Sequence, residues 1–308
     1  MRVSGLGEDA LVERIKGILD STYIGDDTAL VEVGGVPLLL TTDALREGVH
    51  FLRSFPISAV GWKAVSTSVS DVVACGGKPL FLLVSLALPD VDVSVVDQLY
   101  EGIKKACQFY SCTVVGGNIT KSDKLGIDVF LLGQTQRFVA RRGAKPKDGV
   151  YVSGTLGDAK AGLELLLMEK RQYEEFELLL IERHLRPTAR IDYVGHISKY
   201  ANACMDISDG LSTDANRLAK SSGVRLRLDP DRIPISRELR TFCQKHGKDP
   251  LQYALHGGED YQLLFTHPES RYNPFLDMTL IGWVEEGEGV YLGQEPLPPA
   301  GFDHLREV

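Results

Sequence analysis

Hydrophobic positions recur along this chain in alternating helical and extended patterns. Leu11, Ile15, Ile18 and Leu19 share one stripe, which predicts an amphipathic helix over residues 8–20. Apolar runs at 29–33 and 36–42 flank Gly34-Gly35 and predict a hairpin. A helix is predicted over 58–75, closed by Gly76-Gly77. Residues 80–88 read as a buried strand ended by Pro89, and 92–111 as a helix turning Leu99, Ile103 and Ala106 inward. Strands follow near 113–115 and 127–139. The polar run 141–149, rich in Gly, Pro and charge, is the best domain boundary. It divides an N-terminal unit, 1–140, from a C-terminal unit, 149–308. In the second unit, strands near 150–153, 203–205, 224–228, 261–266, 279–284 and 289–292 are interleaved with helices. Those helices are expected near 158–168, 174–184, 189–200, 210–221 and 236–246. The fold class is therefore α/β (α+β), in two units.

Composition narrows the function. Of 308 residues 44% are hydrophobic and 25% charged, ordinary for a globular protein of about two domains. The longest apolar stretch, 80–88, is interrupted by Ser85, whereas a membrane span needs roughly 20 apolar residues. Acids stand near the N-terminus where a secretory signal needs an apolar core. Five cysteines without a CxxC pair read as reduced thiols in a cytoplasmic protein. The net charge of −8, without a Lys/Arg cluster, argues against nucleic-acid binding. It reflects either a solvated acidic surface or acids that converge on metal ions.

Placement of the acids bears on that choice. A two-residue turn at Gly34-Gly35 sets Asp27 opposite Thr42 and Asp26 opposite Asp43. Carboxylates facing one another are destabilising, so they either ask for a hard cation such as Mg²⁺ or merely cap a turn. Asp71 falls near a helix C-terminus, where the macrodipole disfavours an anion, and Ala64, Thr67 and Ser68 lie on its face. It is either a solvated acid or a nearly buried one with a metal partner. Asp206-Ile207-Ser208-Asp209-Gly210 joins a strand to a helix, a good place for phosphate oxygens or their metals, though Ser208 is also an ordinary cap. His256-Gly257-Gly258-Glu259-Asp260 and Gly116-Gly117-Asn118 are tight turns or backbone approaches to a ligand. His50 follows the hairpin acids, and Arg142 is a linker charge or a phosphate clamp. Phosphate-loop, dinucleotide-binding and zinc spacings are absent.

At these residues the sequence closely resembles the thiamine-monophosphate kinase family, of the aminoimidazole-ribonucleotide-synthetase-like superfamily. The resemblance lies in Gly25-Asp26-Asp27-Thr28-Ala29, Thr41-Thr42-Asp43, Gly48-Val49-His50-Phe51 and Ser70-Asp71-Val72-Val73-Ala74-Cys75-Gly76-Gly77. It continues through Val115-Gly116-Gly117-Asn118, Val152-Ser153-Gly154-Thr155-Leu156-Gly157 and Met205-Asp206-Ile207-Ser208-Asp209-Gly210-Leu211. It ends with Gly257-Gly258-Glu259-Asp260-Tyr261 and Gly301-Phe302-Asp303-His304, so the ordered set spans essentially the whole chain.

The resemblance implies transfer of the ATP γ-phosphoryl group to thiamine monophosphate, giving thiamine diphosphate and ADP. It implies several Mg²⁺ ions held by Asp27, Thr42, Asp43, Asp71, Asp206 and Asp209, with Asn118 at a further metal position where many relatives carry Asp. Tyr100 would pack near adenine, and Gly117, Asn118, Arg142 and Ser208 would contact ATP. His50, Glu259 and Phe302 would contact the thiamine end. It further implies a homodimer, its N-terminal sheets paired and its active sites near that interface. Because the acceptor phosphate is already ionised, no general base or covalent nucleophile is expected. The competing readings are another ATP-dependent enzyme of the superfamily, such as a ligase activating an amide oxygen, and a nucleotide-sensing module without catalysis.

Overall fold

A computed structural model of the chain describes residues 3–305; residues 1, 2 and 306–308 of the two expected units lie outside the described residues. The first half comprises α1 (Glu8–Leu19), β1 (Ala29–Val33), β2 (Val36–Arg46), α2 (Ile57–Ala74), β3 (Gly77–Leu88), α3 (Val93–Tyr110), β4 (Thr113–Lys121) and β5 (Gly126–Thr135). Its strands form a sheet of order β1-β2-β5-β3-β4, antiparallel except for β3 beside β4. The second half comprises β6 (Gly149–Ser153), α4 (Asp158–Leu167), α5 (Glu175–Leu185), α6 (Val194–Tyr200), β7 (Ala203–Ile207), α7 (Leu211–Ser222) and β8 (Arg225–Leu228). It continues with α8 (Arg237–His246), α9 (Pro250–His256), β9 (Gln262–His267), β10 (Met278–Glu285), β11 (Gly289–Leu292) and β12 (Glu295–Pro296). These strands form a sheet of order β12-β11-β8-β10-β6-β9-β7.

The central element is α2. Small residues along it allow close packing, and its side chains from Ala59 to Ala74 are buried almost without a break. It rests on the first sheet and on α3, and reaches into the second half. Trp62 Nε1–H donates to the Pro187 carbonyl at 2.8 Å. Ala189 N–H donates to the Tyr110 hydroxyl at 2.8 Å, tying α3 to the same segment. One apolar cluster consequently runs from Leu39 in β2 to Phe265 in β9, and a second lies around α7.

Several local expectations need correction. The hairpin has the expected register, Ala29 opposite Leu40 and Val33 opposite Val36, but pairing stops at Ala29. Asp26 and Asp27 are therefore not ladder partners of Asp43 and Thr42. The chain before β1 leaves the sheet to meet the linker, where Arg141 N–H donates to Asp26 Oδ1 at 2.7 Å. The α1 stripe buries nothing, and Ile18 and Leu19 are exposed. The strand expected to reach 139 stops at Thr135, and the helix expected over 189–200 is a 3-10 turn, Ile191–Tyr193, followed by α6. Helix α9 was not expected: its signal is Asp249, whose carboxylate caps Leu251 N–H at 2.9 Å, followed by Pro250 at the first helical position.

Gly116-Gly117-Asn118 is neither a turn nor a strand end. It lies inside β4, just beyond a bulge at Val115. Gly117 is required for packing, because a Cβ there would sit 1.8 Å from the Val84 carbonyl oxygen.

A layer of aromatic and imidazole rings supports the second sheet. Tyr151 stacks on His267 at 4.3 Å, and His196 meets His267 edge-on at 5.1 Å. Burial, aided by His267, pushes His196 down to about 4. Between that value and the ordinary 6.5 the unfolded chain binds the extra proton, so stability falls as pH falls through this window. His196→Phe should flatten the loss of urea-unfolding stability between pH 7 and pH 4.5 by roughly 1–3 kcal/mol. An acid dependence unchanged from the parent would refute this account.

Candidate active site

Four segments end at one cleft of about 1340 Å³. Strand β2 contributes Thr41 and Asp43, the last turn of α2 contributes Asp71, the end of β7 contributes Asp206, and the segment before β1 contributes Asp27. One oxygen each from Asp27, Asp71 and Asp206 lie within 4.8 Å of one another. The Asp27 side chain is 1% exposed and Asp206 is 3% exposed. Thr41 Oγ1 donates to Asp71 Oδ2, and Ser70 Oγ to Asp206 Oδ2, each at 2.6 Å. The Arg141 guanidinium binds Asp27 Oδ1 through Nη2 at 2.5 Å and Nε at 3.0 Å.

These contacts do not saturate the acids. The Oδ2 atoms of Asp27 and Asp43 are buried with no hydrogen-bond partner. Burial, reinforced by Asp43, Asp206 and Asp27, holds Asp71 well above the usual carboxylate range. Burial and the Asp27 charge do the same to Asp206. Asp43 is raised by burial and by Asp27, and Asp27 by burial despite Arg141. Buried, mutually repelling carboxylates with orphaned oxygens are a donor set that suits hard divalent cations.

Around this cluster lie groups suited to polyanions. Arg142, Lys160, Arg217 and Lys220 line the cleft. Arg217 Nη1 binds Asp209 Oδ2 at 2.5 Å and Asp214 Oδ1 at 3.0 Å. Asp214 in turn accepts the amides of Asp209 and Gly210 at the mouth of α7, and burial followed by Asp209 raises it to about 7. Another part of the cleft is aromatic: the His304 ring lies 5.0 Å from His50 and 4.7 Å from Phe302. Arg46 N–H donates to His50 Nδ1 at 3.0 Å, which assigns the ring proton of the neutral form to Nε2. Burial, with His304 second, pushes His50 down to about 4.

The glycines at 257 and 258 approach backbone. A Cβ on Gly258 would sit 2.4 Å from the Ser208 carbonyl oxygen. This close fit lets Glu259 N–H donate to Ser208 O at 2.7 Å and brings Glu259 to the cleft beside the end of β7.

Asp27, Asp43, Asp71, Asp206, Ser208, Asp209, Arg142, His50, Glu259 and Phe302 thus share one cleft. Thr42 also lines it, but the hydroxyl that reaches Asp71 is that of Thr41. Thr42 pairs with Phe130 and Phe130 with Leu83, a row on the open face of the first sheet. Asn118 occupies the same face through Ser85, Asp128 and Ala44. Tyr100, Gly117 and Asn118 do not line the cleft. Strand β4 stands three strands from β2, about 14 Å away at the usual strand spacing. Arg141, Arg217, Asp214 and Thr41 were missed in the sequence. The only local signal was the pair Arg141-Arg142, which reads equally as linker charge.

Asp71→Asn removes a charge that the folded state disfavours. A raised carboxyl costs stability as pH rises above its unfolded value, so the variant's advantage grows toward neutral pH. With chelator present its melting midpoint should exceed the parent's by roughly 2–6 °C at pH 8 and by less at pH 5. Scanning calorimetry checks this, and an equal or lower midpoint at pH 8 refutes it.

Comparison with known proteins matches residues 25–135 to the AIR synthase related protein N-terminal domain and residues 145–292 to its C-terminal domain. The thiamine-monophosphate kinase of Aquifex aeolicus is 63% identical over 99% of this chain and 100% of its own length. That of Pyrococcus horikoshii is 36% identical over 93% and 92%. A solved structure, AaThiL complexed with AMPPCP and TMP, superposes with a TM-score of 0.98 at 63% identity, covering 99% of each chain. The hydrogenase maturation protein HypE in complex with ATP has a TM-score of 0.67 at 20% identity, covering 88% of this chain and 84% of its own, a likeness of fold alone.

Proposed function

The chain belongs to the thiamine-monophosphate kinase family and is a phosphotransferase of that kind, and from that premise we propose direct, Mg²⁺-dependent transfer of the ATP γ-phosphoryl group to thiamine monophosphate. The products are thiamine diphosphate and ADP, and no covalent enzyme intermediate forms. The observation that carries this reading is the convergence of Asp27, Asp71 and Asp206 within 4.8 Å, in a cleft that also holds His50, Phe302 and His304.

Two anionic phosphates repel, so the reaction needs positioning and charge neutralisation rather than a nucleophile. Asp27, Asp43, Asp71 and Asp206 would hold Mg²⁺, with Asp209 beside them; when bound it neutralises the phosphate oxygens. Arg142, Lys160 and Lys220 supply fixed cations along the cleft, and Ser208 offers a hydroxyl at the mouth of α7. His50 and Phe302 present ring faces and edges to the heteroaromatic rings of thiamine, and Glu259 accepts a hydrogen bond from them.

A homodimer completes the nucleotide site in this reading. The open face of the first sheet exposes Phe81, Leu83, Val115 and Phe130, a cluster of large apolar side chains that suits an interface. Pairing two such faces would bring Tyr100, Gly117 and Asn118 of one protomer toward the cleft of the other. We place the enzyme in the cytoplasm, because its five cysteines are free and buried and no described helix is long and apolar enough to cross a membrane. We likewise set the domain boundary at 141–149, between the strands of the first sheet and β6 of the second.

Incubation with ATP, thiamine monophosphate and increasing Mg²⁺ should give thiamine diphosphate and ADP in equal amounts, and Asp71→Asn should lower kcat by about 10²–10³. Turnover independent of divalent metal, or near-parental turnover of the variant, would refute the metal role. Shared sites predict complementation: Asp71→Asn and Asn118→Arg, each inactive alone, should recover about a quarter of parental activity when co-assembled. No recovery from demonstrated mixed dimers would confine each site to one chain.

A further inference from the structure

Behind the cleft lies a small buried network that the acidic cluster does not use. Lys63, on α2, is 3% exposed although a lysine is among the residues least often buried. Its Nζ stands 2.5 Å from Glu259 Oε1. His184, on α5 and 2% exposed, places Nδ1 3.3 Å from the other oxygen, Glu259 Oε2. The Phe55 ring packs edge-on against His184 at 5.8 Å. Glu259 itself is 26% exposed to the cleft and adopts φ 65°, a left-handed conformation that a non-glycine residue keeps only when its surroundings hold it.

The pieces come from both halves of the fold. Helix α2 belongs to the first half, while α5 and the Glu259 loop belong to the second. Burial, the largest influence, would raise the Glu259 carboxyl, but Lys63 together with smaller contributions outweighs it, and the group is held below its ordinary range. Burial, with Lys63 second, pushes His184 down to about 4, so at neutral pH it faces the carboxylate as a neutral imidazole. Each carboxylate oxygen therefore has its own neighbour, Lys63 Nζ at one and His184 Nδ1 at the other, while the side chain stays partly open to the cleft. An unpaired buried lysine would be strongly unfavourable, so the position of Lys63 makes sense only with Glu259 ionised beside it.

We propose that Lys63 and His184 are positioning residues for substrate selection: Lys63 pairs with the ionised Glu259 carboxylate, His184 confines its other oxygen, and together they fix it in one orientation to accept hydrogen bonds from the amine-bearing heteroaromatic end of the acceptor substrate. This inference rests on the reading that Glu259 contacts the thiamine end. Neither residue touches the reacting phosphates, and both act through Glu259. Their loss weakens the acceptor, not ATP.

A double-mutant cycle on the full-length enzyme tests this, with KM for thiamine monophosphate, KM for ATP and kcat measured separately. Glu259→Gln and Lys63→Met should each raise the thiamine monophosphate KM on the order of 10–100-fold, with ATP KM within about twofold of the parent. The double variant should be no worse than Glu259→Gln alone, because the lysine acts through the carboxylate. His184→Gln should show the same pattern with a smaller rise, and its cycle decides the matter if Lys63→Met does not fold. Multiplying effects in the double variant, or equal rises in both KM values, would show a general structural role and overturn the proposal. Normal acceptor KM in Glu259→Gln would instead overturn the underlying reading of Glu259. A raised KM there with a normal one in Lys63→Met and His184→Gln would overturn the positioning role alone.

Discussion

Repulsion among carboxylates that share one small volume is the constraint around which this structure is arranged. Asp27, Asp43, Asp71 and Asp206 come from four segments, and none is neutralised by a neighbour in its own element. Each is restrained from elsewhere or not at all: Asp27 by Arg141 of the linker, Asp71 by Thr41 of β2, Asp206 by Ser70 of α2. Among the described residues the linker arginine is the one full cation in direct contact with the group, and its own guanidinium is largely buried there. Such a cluster spends folding stability that ordinary packing must supply. The long apolar core running from β2 to β9 through α2 supplies it.

That role explains the composition of α2. A helix covered on nearly every side cannot carry large side chains all around, and its Ala, Ser, Thr and Val residues let the first sheet, α3 and the second half all approach. The same helix then delivers two charges of opposite sign to different parts of one cleft. Asp71 reaches the acidic cluster from the last turn, and Lys63, two turns earlier, reaches Glu259. Their relative position is set by one rigid body. Displacement of α2 would therefore disturb the acidic cluster and the Glu259 side of the cleft together.

Much of this was legible in the sequence. The hairpin register followed from Gly34-Gly35, and the anomaly of Asp71 followed from an acid near a helix C-terminus with small residues on its face. Asp206 and Asp209 stood out because a strand passes directly into a helix there. Other features had no local signature. Arg141 pairs with a residue 114 positions earlier, so only tertiary structure distinguishes it from Arg142. The Gly116-Gly117 pair suggested a turn, but the glycines accommodate a bulge and a neighbouring carbonyl within β4. The α1 stripe had the period of a buried face, yet periodicity alone cannot say whether a partner covers it.

The distribution of charge completes the physical picture. A net charge of −8 would by itself repel both ATP and a phosphorylated acceptor. The acids of the central cluster, however, are buried and raised, so they are not simply free negative charge in the empty protein. With Mg²⁺ bound as proposed, they would become an asset, and proton release would accompany the binding. Arg142, Lys160 and Lys220 sit around that cluster and face the same cleft. Attraction for polyanions is thus local, made of cationic side chains at the rim and cation-seeking carboxylates within.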